Sequence, residues 1–170
     1  MADSNLFTVN LVTPERILLE GAASEVILRS GVGDLSILAG HTPLVGSVEP
    51  GVIRVVRDDG QVERVAGHGG FIQVEQHVAP ESEDGGAGGS SGTRVTLLIG
   101  VAELAEEIDA PRAQAALDAA EARVAELTGS GGRATGDDEE PDAVLVEAEA
   151  SLRRAQVRLE ALDVASASAA

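Results

Sequence analysis

Cysteine is absent from this 170-residue chain, and so are tryptophan, tyrosine and lysine. Without thiols the chain can form neither disulfides nor thiolate metal sites. Phe7 and Phe71 are the only aromatics. The core must therefore be built from Val, Leu, Ile and Ala, and both phenyl rings are expected inside it. All 12 basic residues are arginine, set against 29 acidic ones, for a net charge of −17. Such a chain does not hold nucleic acid or anionic lipid by bulk charge, so any anion it binds has to be gripped by a few placed arginines. No apolar run reaches the ~18 residues a membrane span requires. The opening Met1-Ala-Asp-Ser-Asn-Leu6 has neither the basic start nor the apolar stretch of a signal peptide, which points to a cytoplasmic chain.

What is present falls into two patterns. From residue 6 to 100 short apolar alternations are cut by turn residues. Phe7, Val9 and Leu11 alternate with Thr8 and Asn10, and Val26 and Leu28 alternate with Glu25, Ile27 and Arg29; each reads as a half-buried strand. Asp58-Asp59-Gly60 between Val52–Arg57 and Gln61–Val65 is a hairpin signal, since glycine tolerates the positive φ of such turns. Gly33–Gly51 is the most punctuated stretch, with Gly33, Gly40, Pro43, Gly46, Pro50 and Gly51 separating short apolar pieces and His41 placed in a turn. Ala79–Gly92 has no apolar periodicity and reads as a flexible excursion, so the strands on either side, Phe71–Gln76 and Thr93–Ile99, should be neighbours. The sum is an N-terminal all-β sandwich or flattened barrel of about eight to ten strands.

After residue 104 the period changes. Ala113, Leu117, Ala120, Val124 and Leu127 form one narrow seam, and Leu145, Ala148, Leu152, Ala155, Leu159 and Leu162 form another. Each marks a helix, and two single-seamed helices make a C-terminal antiparallel two-helix hairpin. Asp109 is placed to cap the first helix, with Pro111 tolerated in its first turn. The second is expected to begin near Pro141-Asp142, after a polar excursion over 128–140. The boundaries read as 1–104 for the sandwich and 105–170 for the hairpin. An alanine-rich seam buries little area at about 25 cal/mol per Å², so the hairpin should be marginal by itself and able to detach.

Three runs carry a resemblance. Asp34-Leu-Ser-Ile-Leu-Ala-Gly-His-Thr-Pro-Leu44, then Glu49-Pro-Gly-Val-Ile-Arg54, then Gly69-Gly-Phe-Ile-Gln-Val74 together resemble the epsilon subunit of the bacterial F-type ATP synthase. Val95-Thr-Leu-Leu98 and Glu107-Ile-Asp109 fit the end of that family's sandwich and the start of its hairpin. The resemblance implies a non-catalytic subunit of the central stalk of a proton-translocating complex, at the cytoplasmic face of the cell membrane and attached to it only through the complex. It implies the gamma subunit and the c-ring as partners of the sandwich, with Asp34 and the Gly40-His41-Thr42-Pro43 turn near those contacts on one rim. It also implies a mobile hairpin that, when extended, reaches the alpha/beta catalytic head and obstructs ATP hydrolysis. The plainer reading of His41 is a turn histidine bonded to a backbone carbonyl.

Some members of that family bind regulatory ATP in the folded hairpin through Ile/Leu-Asp-x-x-Arg-Ala. Ile108, Asp109, Arg112 and Ala113 match it at every fixed position. By the same resemblance, Glu103 stands at the upstream glutamate, and Arg154 and Arg158 at the second-helix arginines. Three arginines could grip phosphates by charge-assisted hydrogen bonds without a P-loop. The plainer alternative makes Asp109 an N-cap and the arginines a solvated face. No cofactor is required by either. Two other classes stand beside the rotor subunit: a stand-alone nucleotide sensor built on the hairpin, and a metal-dependent sandwich enzyme using His41 and His68. The second is disfavoured because His41, His68 and His77 lack ligand spacing. Asp137–Glu140 reads as a polar loop, not a cation site.

Overall fold

The computed structural model describes residues 5–77, 92–129 and 143–167. Ten strands come first: β1 (Phe7–Val12), β2 (Ile17–Ala23), β3 (Glu25–Ser30), β4 (Gly33–Leu38), β5 (Leu44–Val48), β6 (Gly51–Val56), β7 (Val62–Gly67), β8 (Gly70–His77), β9 (Gly92–Ile99) and β10 (Ala102–Leu104). A 3-10 turn (Ala105–Glu107) and two helices, α1 (Ala110–Gly129) and α2 (Ala143–Ala167), follow. The chain divides after Leu104 into two compact units.

In the first unit β4-β3-β6-β7-β10 form one layer and β5-β8-β9-β1-β2 the other. They are one continuous sheet, because β3 passes from β6 to β5 through the pair Ser30↔Val48. The distant edges β10 and β2 also approach each other, so the sheet folds over as a flattened barrel. Period-2 alternation places Val9, Leu11, Val26, Leu28, Ile53, Val55, Ile72, Val74, Val95 and Leu97 in one shared core at 0–2% exposure. Leu, Ile and Val fill it, with Phe7 the one ring among them. Phe71 is the correction: it is 62% exposed on the outer face.

The Asp58–Gly60 hairpin forms as expected. Gly60 has φ +82°, and the Asp59 carboxylate accepts the Gln61 N–H at 2.9 Å. β8 and β9 are neighbours, paired from Gly70↔Ile99 to His77↔Gly92. Residues 79–91 of the first excursion and 130–140 of the second lie outside the described residues. Gly92, expected in the first, opens β9, and Thr128 and Gly129, expected in the second, belong to α1. The Thr128 hydroxyl donates back to the Val124 carbonyl at 2.9 Å in this last turn.

In the second unit α1 and α2 pack against each other, and the 3-10 turn packs on α2. On α1 the expected seam is the inner face: Ala113 and Ala120 are buried, and Leu117, Val124 and Leu127 half-buried. On α2 the inner face is wider than one seam. Ala148 and Ala155 are buried as expected, but so are Val157 and Ala161. These two share a second stripe with Ala150 and Arg154, offset around the helix. No helix among the described residues is long and apolar enough to cross a membrane.

Candidate functional site: an apolar shelf, a braced turn and a capped helix

The outer face of the β5-β8-β9-β1-β2 layer should be polar, and most of it is. Near one end it is not. Phe71 pairs with Leu98, Leu98 with Val12, and Val12 with Ile17. These four side chains form one row across β8, β9, β1 and β2, at right angles to the strands. Phe71, Leu98 and Ile17 are 62%, 50% and 60% exposed. A hollow of about 450 Å³ lies against the row, lined by Val12, Thr13, Pro14, Phe71, Leu98 and the glycines 69, 70 and 100. Beyond Thr13 and Pro14 a second hollow of about 350 Å³ turns polar, with Glu15, Arg16 and Glu103 on its walls. Large apolar groups aligned in one exposed row mark a surface made to be covered. Sequence reasoning missed this row, although a signal was there. Phe71 has the same parity as Gln73 and Glu75, and Leu98 the same parity as Arg94 and Thr96.

Glycine makes the shelf possible. A Cβ on Gly70 would overlap the Leu98 carbonyl oxygen and stand 2.9 Å from the Ile99 Cα. Only a bare backbone lets β8 start this close to β9.

The residues expected on a single rim lie apart. Asp34 sits at the start of β4, beside the exposed tip residue Val32, and pairs with Arg29 across the hairpin at 4.0 Å. The Gly40–Pro43 turn follows the other end of β4. From Asp34 to Leu38 the extended strand covers about 13 Å at 3.3 Å per residue, and the turn that carries His41 lies beyond that far end of β4. Asp34 therefore shares its end of the sandwich with Val48, Gly70 and Ile99, at the level of the shelf, and the His41 turn stands at the opposite end. A strand that runs the length of the sandwich separates the two groups; sequence proximity had suggested one surface.

That turn is held firmly. Gly40 has φ +81° and donates its N–H to Thr93 Oγ1 at 2.8 Å. The His41 N–H bonds the Leu38 carbonyl at 3.1 Å. Gln76 Nε2 donates to the His41 carbonyl at 2.6 Å and to Thr93 Oγ1 at 3.2 Å. His41 Nδ1 lies 2.7 Å from the Thr42 carbonyl. A carbonyl only accepts, so Nδ1 is the donor in this contact. The turn-histidine reading of the ring is what the structure contains. Among the described residues no group of three or more His, Cys, Asp or Glu side chains is arranged to hold a metal.

The nucleotide-motif residues divide between the units. Ile108, Asp109, Arg112 and Ala113 lead into α1. Asp109 caps it: its carboxylate accepts the Arg112 N–H at 3.0 Å and its carbonyl accepts the Ala113 N–H at 2.9 Å. Ala113 is buried and the Arg112 side chain exposed. Arg154 and Arg158 lie half-buried, one turn apart on α2. Arg154 is engaged along its own helix, donating from Nη2 to Glu147 Oε1 and to Ser151 Oγ, both at 2.7 Å. The Arg154 guanidinium, by its hydrogen bond and then its charge, holds the Glu147 carboxyl below the ordinary carboxylate range. Any phosphate reaching Arg154 competes with Glu147. Glu103 is on β10, in the sandwich unit.

Fold and surface define a class: a ten-stranded sandwich with an apolar shelf on one outer face, followed by a pair of packed helices. Residues 6–79 match the family model described as the beta-sandwich domain of the ATP synthase delta/epsilon chain. The ATP synthase epsilon chain of Thermobifida fusca is 42% identical over 124 residues, covering 71% of this chain and 79% of the relative. That of Symbiobacterium thermophilum is 36% identical over 162 residues, 95% and 94% of the two chains. In the solved mitochondrial ATP synthase of Euglena gracilis, a chain shares the fold at TM-score 0.64 and 23% identity, covering 95% of this chain and 85% of that one. The chain belongs to the ATP synthase epsilon chain family.

Proposed function

We propose that this protein is a rotor subunit of the ATP synthase central stalk, without catalytic activity of its own. The observation that carries the reading is the apolar row Phe71, Leu98, Val12 and Ile17, with Val12 half-buried and the other three exposed, on a sandwich whose relatives are ATP synthase epsilon chains. The sandwich seats against the gamma subunit and the c-ring, and so couples the proton-driven ring to the catalytic head at the cytoplasmic face of the cell membrane. The Asp34 end and the Gly40–Pro43 turn, beyond opposite ends of the Asp34–Leu38 run of β4, serve two separate contacts. Co-purification of the catalytic head and gamma with the tagged full-length chain tests this; a chain that emerges alone from reconstitution contradicts it.

The helical pair is the regulatory part of the proposal. It restrains ATP hydrolysis when it reaches the alpha/beta head, and ATP held by Arg112, Arg154 and Arg158, with Ile108, Asp109 and Ala113 beside Arg112 in the chain, favours the retracted state. Support comes from the sequence match at Ile108, Asp109, Arg112 and Ala113 and from the i, i+4 spacing of the two α2 arginines. Because Arg154 is already bonded to Glu147, ATP has to displace a carboxylate to use it. Calorimetry with millimolar ATP on the intact protein decides the point: heat that disappears in Arg112→Ala supports the site, and no heat with the fold intact removes it.

A further inference from the structure

Thr93 is the single buried polar side chain among the described residues, at 5% exposure. Burying a hydroxyl in a core of Leu, Ile and Val is costly unless hydrogen bonds compensate. Here they do, and both are spent on one target. Thr93 Oγ1 accepts from the Gly40 N–H and from Gln76 Nε2, and the same Gln76 nitrogen holds the His41 carbonyl. Thr93 and Gln76 face each other across β8 and β9, one pair inside the His77↔Gly92 end of the ladder. Two side chains from the root of that hairpin thus fix a turn 35 or more residues earlier in sequence.

We infer that Thr93 and Gln76 are positioning residues for the Gly40–Pro43 turn, acting on partner binding through it and not by touching the partner. With the amides of Gly40 and His41 and the carbonyls of His41 and Thr42 all bonded within the sandwich, the turn offers its partner side chains: the exposed Thr42 and Pro43 and the imidazole edge. With His41 Nδ1 bonded to the Thr42 carbonyl, Nε2 is the ring nitrogen left to meet a polar group of the partner. The role rests on the reading that this turn meets another ATP synthase subunit. The brace itself does not.

Thr93→Val keeps the shape and removes the acceptor. Thr93→Ser restores it, and Gln76→Ala releases the His41 carbonyl from the more exposed side. In the full-length protein, exchange of the Gly40 amide is expected to quicken about tenfold in Thr93→Val, the effect of losing the one hydrogen bond that holds it, and to return towards wild type in Thr93→Ser. Affinity for an ATP synthase stripped of its epsilon subunit should fall by about the same factor in Thr93→Val and Gln76→Ala and recover in Thr93→Ser. Unchanged Gly40 exchange in Thr93→Val overturns the brace. Faster exchange with unchanged affinity overturns the positioning role. A wild-type chain that fails to bind the stripped complex overturns the docking reading on which the role rests, with the exchange result still standing.

Discussion

Gly70 and Gly67 show how the consequence of a single methyl depends on what it meets. At Gly70 the added Cβ strikes backbone, the Leu98 carbonyl and the Ile99 Cα; at Gly67 it meets the tip of the Ile53 side chain at 2.8 Å. Backbone in a ladder cannot step aside, whereas a terminal methyl can. Gly70→Ala is therefore expected to cost at least about 2 kcal/mol in urea unfolding, and Gly67→Ala about 1 kcal/mol or less. At this scale the sequence was legible where the cause is local. Asp109 before Ala110-Pro111 announces a cap, and the Asp59-Gly60 pair announces a hairpin. It was not legible where the cause is distant. Nothing near Thr93 signals that its hydroxyl reaches Gly40, whereas the parity Phe71 shares with Gln73 and Glu75 did mark a phenyl ring spent on the surface.

Among the elements, the helices are the least secure. Alanines line much of the inner faces of α1 and α2, so each contact removes little apolar area from water, and terminal devices count for more. Removing the cap by Asp109→Ala should lower the stability of the helical pair by about 1 kcal/mol, read as an earlier loss of helical signal on heating. Along α2, the Glu147–Arg154 contact has a definite pH sign. The Glu147 carboxyl is lowered from its ordinary value of 4.5 in the folded protein, so its contribution is present above that value and is lost as pH falls through the lowered one. Glu147→Gln should accordingly flatten part of the acid-side loss of α2 helicity. The same variant should bind ATP more tightly if Arg154 serves the nucleotide, since the competing carboxylate is gone. The seam on α2 was legible from its 3,4 spacing. The second buried stripe, Val157 and Ala161, was not, because alanine and valine beside arginine at 154 and 158 carry no clear hydrophobic period.

For the whole molecule, the decisive feature is the break after Leu104. The sandwich core cluster draws every member from residues 7 to 99, with Ala102 and Leu104 packed against it. A chain ending at Leu104 should thus fold cooperatively by itself. In the assembled complex it should sustain ATP synthesis while ATP hydrolysis rises above that of the full-length form; equal hydrolysis rates would remove the case for a regulatory helical pair. A strand number of about eight to ten, the Asp58–Gly60 hairpin and the β-to-α switch were readable from periodicity and turn residues; the three-residue β10 (Ala102–Leu104) was not, because it is too short to show an alternation. Which outer face is apolar, and how far apart Asp34 and His41 stand, depend on cross-strand register, and register is a property of the assembled sheet.

As proposed, the Phe71–Leu98–Val12–Ile17 row is a docking shelf for the rest of the ATP synthase. It is tested most directly by titrating the full-length chain into a complex stripped of its epsilon subunit, comparing wild type with Phe71→Ser and Leu98→Ser. Both side chains are at least half exposed, so the variants should melt close to wild type, within about 1 kcal/mol. Wild type should bind, and each variant should lose affinity by about tenfold or more, as expected for apolar anchors at the centre of an interface. Equal affinity for all three proteins would contradict it.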